Sequence, residues 1–222
     1  MSDPSDQLLR EIDEDLKREQ WEKLWKAYGR YVVAGIVVVV VIVLGFVGWR
    51  EYRERQLADD GLTYWKADRQ AAFGDYRAAA DGFNALVEDG QAGYPDLAGL
   101  REAAALAQAG DREAALELYD RISSKAGLGS HLGQLAELYA AMMLVDTGDP
   151  NQVADRLEPL AADDAPWRYS ARELQGLLAL RIGNLDDARA IFNALANDEN
   201  APTTLRNRAS ELLAITGGGG DA

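Results

Sequence analysis

Apolar and polar positions divide the chain into three regimes. Residues 4–27 carry Leu8, Leu9, Ile12 and Leu16 at helical spacing, then Trp21, Leu24, Trp25 and Tyr28, with acids and bases between them. That pattern predicts an amphipathic helix able to lie on a membrane surface before the chain turns near Gly29, either as an anchor or as a partner-binding segment. The second regime, Tyr31 to Trp49, is nineteen residues without a charged or strongly polar side chain. From Arg50 onward, small and large apolar positions recur within a charged background, and no proline interrupts Arg50 to Phe73, so the helix is expected to continue there.

At about 1.5 Å per residue the apolar run reaches across a hydrocarbon layer about 30 Å thick. The β-branched run Val37 to Val41 also suits a buried strand, but such strands stop after about 4–8 residues, which favours a membrane helix over 28–50. Trp21, Trp25, Tyr28, Trp49 and Tyr52 gather near its two ends as interface anchors, and Arg50, Glu51, Arg53, Glu54 and Arg55 stop the run. A cleaved secretory signal is the other reading of an early apolar run. The acidic thirty-residue leader, with eight acids to six bases, and the GWREYRE that follows favour an uncleaved signal anchor.

Four tetrads then recur. Gly74-Asp75-Tyr76-Arg77, Gly110-Asp111-Arg112-Glu113, Gly148-Asp149-Pro150-Asn151 and Gly183-Asn184-Leu185-Asp186 are separated by 36, 38 and 35 residues, the period of helix-hairpin arrays. Small residues stand seven before each Gly (Ala67, Ala103, Ala141, Gly176) and five after it (Ala79, Ala115, Val153, Ala188). Large ones stand nine after (Phe83, Tyr119, Leu157, Phe192) and twelve after (Leu86, Ile122, Leu160, Leu195). The reading is a left-handed Gly closing each first helix, Asp or Asn capping each second one, small residues at helix crossings and large residues between hairpins. Thr203 to Thr216 reads as a capping helix and residues 217–222 as a disordered Gly-rich tail. The expected fold is all-α: a transmembrane helix, then an α-solenoid of about four degenerate hairpins over 51–216.

Charge and composition narrow the function. Of the formal charge of −14, residues 1–30 carry −2 and the remainder −12, so the repeat domain repels nucleic acid and anionic lipid. Lys17, Arg18, Lys23, Lys26 and Arg30 before the span outnumber Arg50, Arg53 and Arg55 after it, which favours a cytoplasmic N-terminus and a periplasmic repeat domain. Cysteine is absent, which excludes disulfides and thiol chemistry. His131 is the single histidine and reads as a loop position in Gly127-Leu128-Gly129-Ser130 rather than a ligand; Asp59-Asp60, Asp163-Asp164 and Asp186-Asp187 read as junction or helix-start acids. No nucleophile elbow, metal helix or nucleotide loop is present, so no catalytic residue, cofactor or small-molecule substrate is expected.

The tetrad offsets resemble the tetratricopeptide repeat. The family's early Trp and its Leu-Gly pair are replaced by Lys66-Ala67, Glu102-Ala103, Ala140-Ala141 and Gln175-Gly176. Gln20-Trp21, Lys23, Trp25, Tyr28-Gly29, the apolar span, Gly48-Trp49-Arg50, Tyr52 and Tyr64 together resemble the YfgM family of bacterial inner-membrane proteins, ancillary subunits of the SecYEG translocon. That resemblance implies a non-enzymatic, membrane-tethered scaffold that links the translocon to a membrane-anchored periplasmic chaperone and assists exported proteins. An envelope adaptor coordinating cell-wall or division complexes is the alternative. If the repeats keep tetratricopeptide geometry, the concave groove is expected to expose Tyr64, Asp68, Leu100, Leu138, Met142, Val145, Leu177 and Arg181, with Met142-Met143 offering an adaptable apolar surface.

Overall fold

The computed structural model describes residues 4–217, with side chains described at Trp21 and from Leu24 onward. The chain forms two compact units, Met1–Gln56 and Leu57–Ala222, and every regular element among the described residues is a helix.

The first unit is part of α1, Pro4–Ala72. The expected turn at Gly29 does not form: α1 runs through it, because one glycine costs a helix only about 1 kcal/mol relative to alanine. The Trp25 ring lies 3.2 Å from where a Gly29 Cβ would sit. The side chains of Leu8, Leu9, Ile12 and Leu16 lie outside the described residues. Beyond the apolar run, Arg50 donates to Glu54 at 2.7 Å and Arg55 to Glu51 at 3.0 Å, helical pairs that sharply end the uncharged stretch.

The second unit is a run of helix hairpins. The last turns of α1 pair with α2 (Tyr76–Asp89), α3 (Tyr94–Gln108) with α4 (Arg112–Ala126), α5 (His131–Leu144) with α6 (Pro150–Leu157), and α7 (Arg168–Arg181) with α8 (Leu185–Asn197). The final helix, α9 (Thr203–Ile215), covers α8, as the sequence predicts; residues 218–222 of the expected tail lie outside the described residues.

The tetrads build the turns. At Gly74, φ is +84°, its N–H donates to Ala71 O, and the N–H of Asp75 donates to Gln70 O, which satisfies two carbonyls that the end of α1 leaves open. The same pair of bonds forms at Gly110-Asp111 and at Gly183-Asn184. The side chains of Asp75, Asp111 and Asn184 then accept from Ala78, Ala114 and Asp187 N–H groups as caps of the next helix.

Gly148 departs from this expectation. It does not take a positive φ; its N–H reaches Leu144 O at 2.7 Å, and a Cβ there would meet Leu144 at 2.9 Å. Glycine is needed there for close approach, not for handedness. Asp149 still caps α6, accepting from Asn151 and Gln152 N–H. Helix α6 is only eight residues long: Glu158 still keeps an α conformation and donates to Ala154 O, but Pro159 has no N–H to continue the ladder, so Leu160 reaches the core from a turn.

The registers hold where packing decides them. Ala67, Ala103, Ala141, Ala79, Ala115, Val153 and Ala188 are fully buried at helix crossings. Phe83, Tyr119, Leu157 and Phe192 fill the layers between them. Ion pairs one repeat apart tie the hairpins together: Asp68 with Arg101, Asp120 with Arg156, and Glu173 with Arg208.

Candidate protein-binding groove

A groove of about 470 Å³ opens between α3, α4 and α5. Helix α3 supplies Leu97, Leu100, Arg101 and Ala104, one face at helical spacing; α5 supplies Leu135, Tyr139, Met142 and Met143 in the same way, and Asp146 follows. Leu97 and Met142 are about half exposed, so the wall presents apolar surface that the fold itself leaves uncovered.

Tyr119 lies against Tyr139, ring centroids 5.5 Å apart and tilted by 43°. Burial, helped by the neighbouring Tyr139, pushes the Tyr119 phenol up to about 12, so it remains a neutral hydroxyl. At one end Arg112 donates to Met143 O at 2.6 Å. At the other, Arg101 pairs with Asp68, and its guanidinium carbon lies 5.7 Å from the Phe83 ring centroid. The groove is an apolar trough with a charged group near each end. Nothing in it resembles a nucleophile–base pair, and no group of acids and His131 that could hold a metal occurs among the described residues.

Of the eight groove residues read from sequence, Leu100 and Met142 line this trough, and Asp68 borders it through Arg101. Tyr64 is half-buried, edge-on to Phe83 at 5.3 Å and 6.1 Å from Tyr94; burial raises its phenol above the ordinary range. Leu138 and Val145 are buried in the core shared by α5, α6 and α7, and Leu177 packs against that core. Arg181 donates to Gly148 O at 2.9 Å and braces the α5–α6 turn. Sequence reading missed Leu97, Arg101, Arg112 and Tyr139, although the i, i+3, i+4, i+7 stripe from Leu97 to Ala104 carries the signal.

The anchors read from sequence sit on the other unit. Trp21, Trp25, Tyr28, Trp49 and Tyr52 are all exposed on α1, and the helix between Tyr28 and Trp49 rises about 32 Å. Helix α1 is thus long and apolar enough to cross a membrane. Asp59-Asp60, read as junction acids, lie inside α1, where Asp60 accepts from Gln91 N–H at 2.7 Å. His131, read as a loop position, is instead the first residue of α5, because Ser130 caps the helix by accepting from Gly133 N–H.

Comparison with curated proteins and with solved structures gives no match. A family profile described as a tetratricopeptide repeat-like domain matches residues 22–213, most of the chain, and the run of helix hairpins accords with it. The chain belongs to the tetratricopeptide repeat-like domain family.

Proposed function

We propose that this protein is a non-enzymatic scaffold held in the bacterial inner membrane by α1, with its repeat domain in the periplasm, acting as an ancillary subunit of the SecYEG translocon. It joins the translocon to a membrane-anchored periplasmic chaperone and receives apolar segments of exported chains. The observation that carries this reading is the uncovered trough between α3 and α5, walled by Leu97, Leu100, Tyr139 and Met142, in a chain that also has a membrane-length helix. Methionine side chains adapt to varied apolar shapes, which suits a surface that meets many sequences. Tethering beside an exit pore replaces a weak bimolecular encounter with an effective concentration on the order of mM. Membership of a repeat family that mediates protein–protein interaction supports the scaffold reading.

The test is co-purification of the full chain from gently solubilised membranes, with alkaline phosphatase and green fluorescent protein fused in turn after Ala222. Recovery of translocon subunits, weakened by Met142→Glu, with an active phosphatase fusion is the expected result. Recovery of wall-synthesis or division proteins instead would favour the envelope-adaptor role. A fluorescent, phosphatase-inactive C-terminus would overturn the periplasmic assignment.

A further inference from the structure

The outer side of α1 from Ala58 to its end, with Phe73 in the turn that follows, is separate from the groove. Its inner side is occupied: Tyr64, Ala67 and Ala71 pack into the first core cluster, Asp60 accepts from Gln91 N–H, and Asp68 pairs with Arg101. Among the described residues no hairpin precedes α1 to cover its outer side, and an end of a helical array stays free in water only if that end is polar. Here it is not. Leu62 is 49 %, Trp65 53 % and Phe73 78 % exposed. The Arg69 guanidinium carbon lies 4.8 Å from the Trp65 ring centroid and 5.4 Å from that of Phe73.

Two properties say what fits. Ala58, Leu62, Trp65, Arg69 and Ala72 follow one another at spacings of four, three, four and three, the seam along which one helix packs lengthwise on another. The later half of the seam is also locally basic. Asp59 is exposed near its start and Asp60 accepts from Gln91 N–H, but between Leu62 and Phe73 the seam presents Lys66 and Arg69, while Asp68, the one acid in that interval, turns away to Arg101. Across residues 57–222 acids outnumber bases by 27 to 14, so a basic, aromatic strip stands out there. Trp and Arg together are the side chains that most often dominate interface energies.

We propose that this face is a docking surface for an amphipathic α-helix of another protein, apolar along its contact line and bearing Asp or Glu beside it, opposite Lys66 and Arg69. A second copy of α1 is the poorer occupant, since pairing in parallel sets Arg69 and Lys66 against themselves. An anionic membrane surface is disfavoured by the net charge of the domain that carries the strip.

The test uses the full chain in phosphatidylcholine nanodiscs and two labelled three-heptad peptides, both with Leu at the contact positions, one flanked by Glu and the other by Lys. The Glu peptide should bind at least tenfold more tightly than the Lys peptide, Trp65→Ala should weaken it at least tenfold, and Arg69→Glu should invert the preference. Met142→Glu, in the groove, should leave it unchanged, which separates this surface from the function proposed above. Unaltered melting of the Trp65→Ala and Arg69→Glu variants excludes misfolding as the cause. Equal binding of both peptides, binding indifferent to Trp65→Ala, or no binding overturns the proposal. Self-association abolished by Trp65→Ala overturns it in favour of a second copy. Capture of phosphatidylglycerol vesicles lost in Arg69→Glu overturns it in favour of a membrane surface.

Discussion

The Phe192 ring rests on Gly176: a Cβ built at that glycine would lie 2.5 Å from Phe192 Cε1 and 2.8 Å from Cζ. Helix α8 thereby approaches α7 more closely than any side chain at 176 permits. Phe192 is fully buried and cannot swing outward.

Gly176→Ala should therefore destabilise the repeat domain by about 1–3 kcal/mol, the usual cost of overpacking a filled core. Adding Phe192→Leu should recover part of the loss, since it vacates the volume that the new methyl needs. Thermal melts of the detergent-solubilised protein followed by circular dichroism would show both shifts; equal melting temperatures for wild type and Gly176→Ala would refute the contact.

Gly110 and Gly148 occupy equivalent places in their repeats but should respond differently. At Gly110 φ is +90° with open space around a built Cβ, so Gly110→Ala should cost about 1–2 kcal/mol through backbone strain, and Gly110→Asn less, because Asn tolerates the left-handed region. At Gly148 the obstacle is Leu144, and Asn should be no better than Ala. Urea denaturation of the four variants distinguishes strain from crowding.

Arg156 on α6 donates to Asp120 on α4 at 2.7 Å and to Glu137 on α5 at 2.9 Å, and Ser123 donates to Glu137 at 2.8 Å. Glu137 is 13 % exposed and Arg156 26 %, so water cannot readily replace the lost partner. Arg156→Ala should cost about 1–3 kcal/mol for the stranded carboxylate. Arg121→Ala, which removes an exposed pair with Glu117 and the attraction of Arg121 for Glu102, should cost less than Arg156→Ala. Chemical denaturation of the two variants gives the comparison; similar midpoints would show that the network does not couple its helices.

Glu102 on α3 is half-buried, and that burial holds its carboxyl above the usual carboxylate range; Arg121 opposes the shift, and Glu88 and Asp81 add to it. A carboxyl whose folded pKa lies above its unfolded one favours folding below the unfolded pKa and loses that contribution as pH rises through the folded value. Glu102→Gln should thus raise the melting temperature at pH 7, and the gain should shrink as pH falls through the carboxylate range. A gain that grew on acidification would reverse this assignment.

What the sequence conveyed and what it did not divide along physical lines. The Gly-Asp and Gly-Asn turns at 74, 110 and 183 and the alanine crossings were legible because backbone handedness and helix approach each admit few residue types. Gly148 looked identical in sequence, yet the same residue served close approach. The repeat register put Leu160 in the core but gave no sign that α6 ends before it, since it does not count Pro159. Half of the groove reading went into the core or into bracing, as with Leu138, Val145 and Arg181, because the first helix of each hairpin packs against neighbours on several sides and register does not reveal which side stays open. The repeat-spanning pairs, Glu173 with Arg208 among them, were invisible because an acid-rich chain offers many partners at that separation.

At three of the four turns, one residue ends a helix with its N–H and begins the next with its side chain, so Asp75, Asp111 and Asn184 each belong to two helices at once. No slack remains between neighbours into which a single residue could be gained or lost. Differences in repeat length therefore fall outside these three turns, as in the ten residues between α6 and α7 against four between α2 and α3, and insertions should collect in the connections between hairpins.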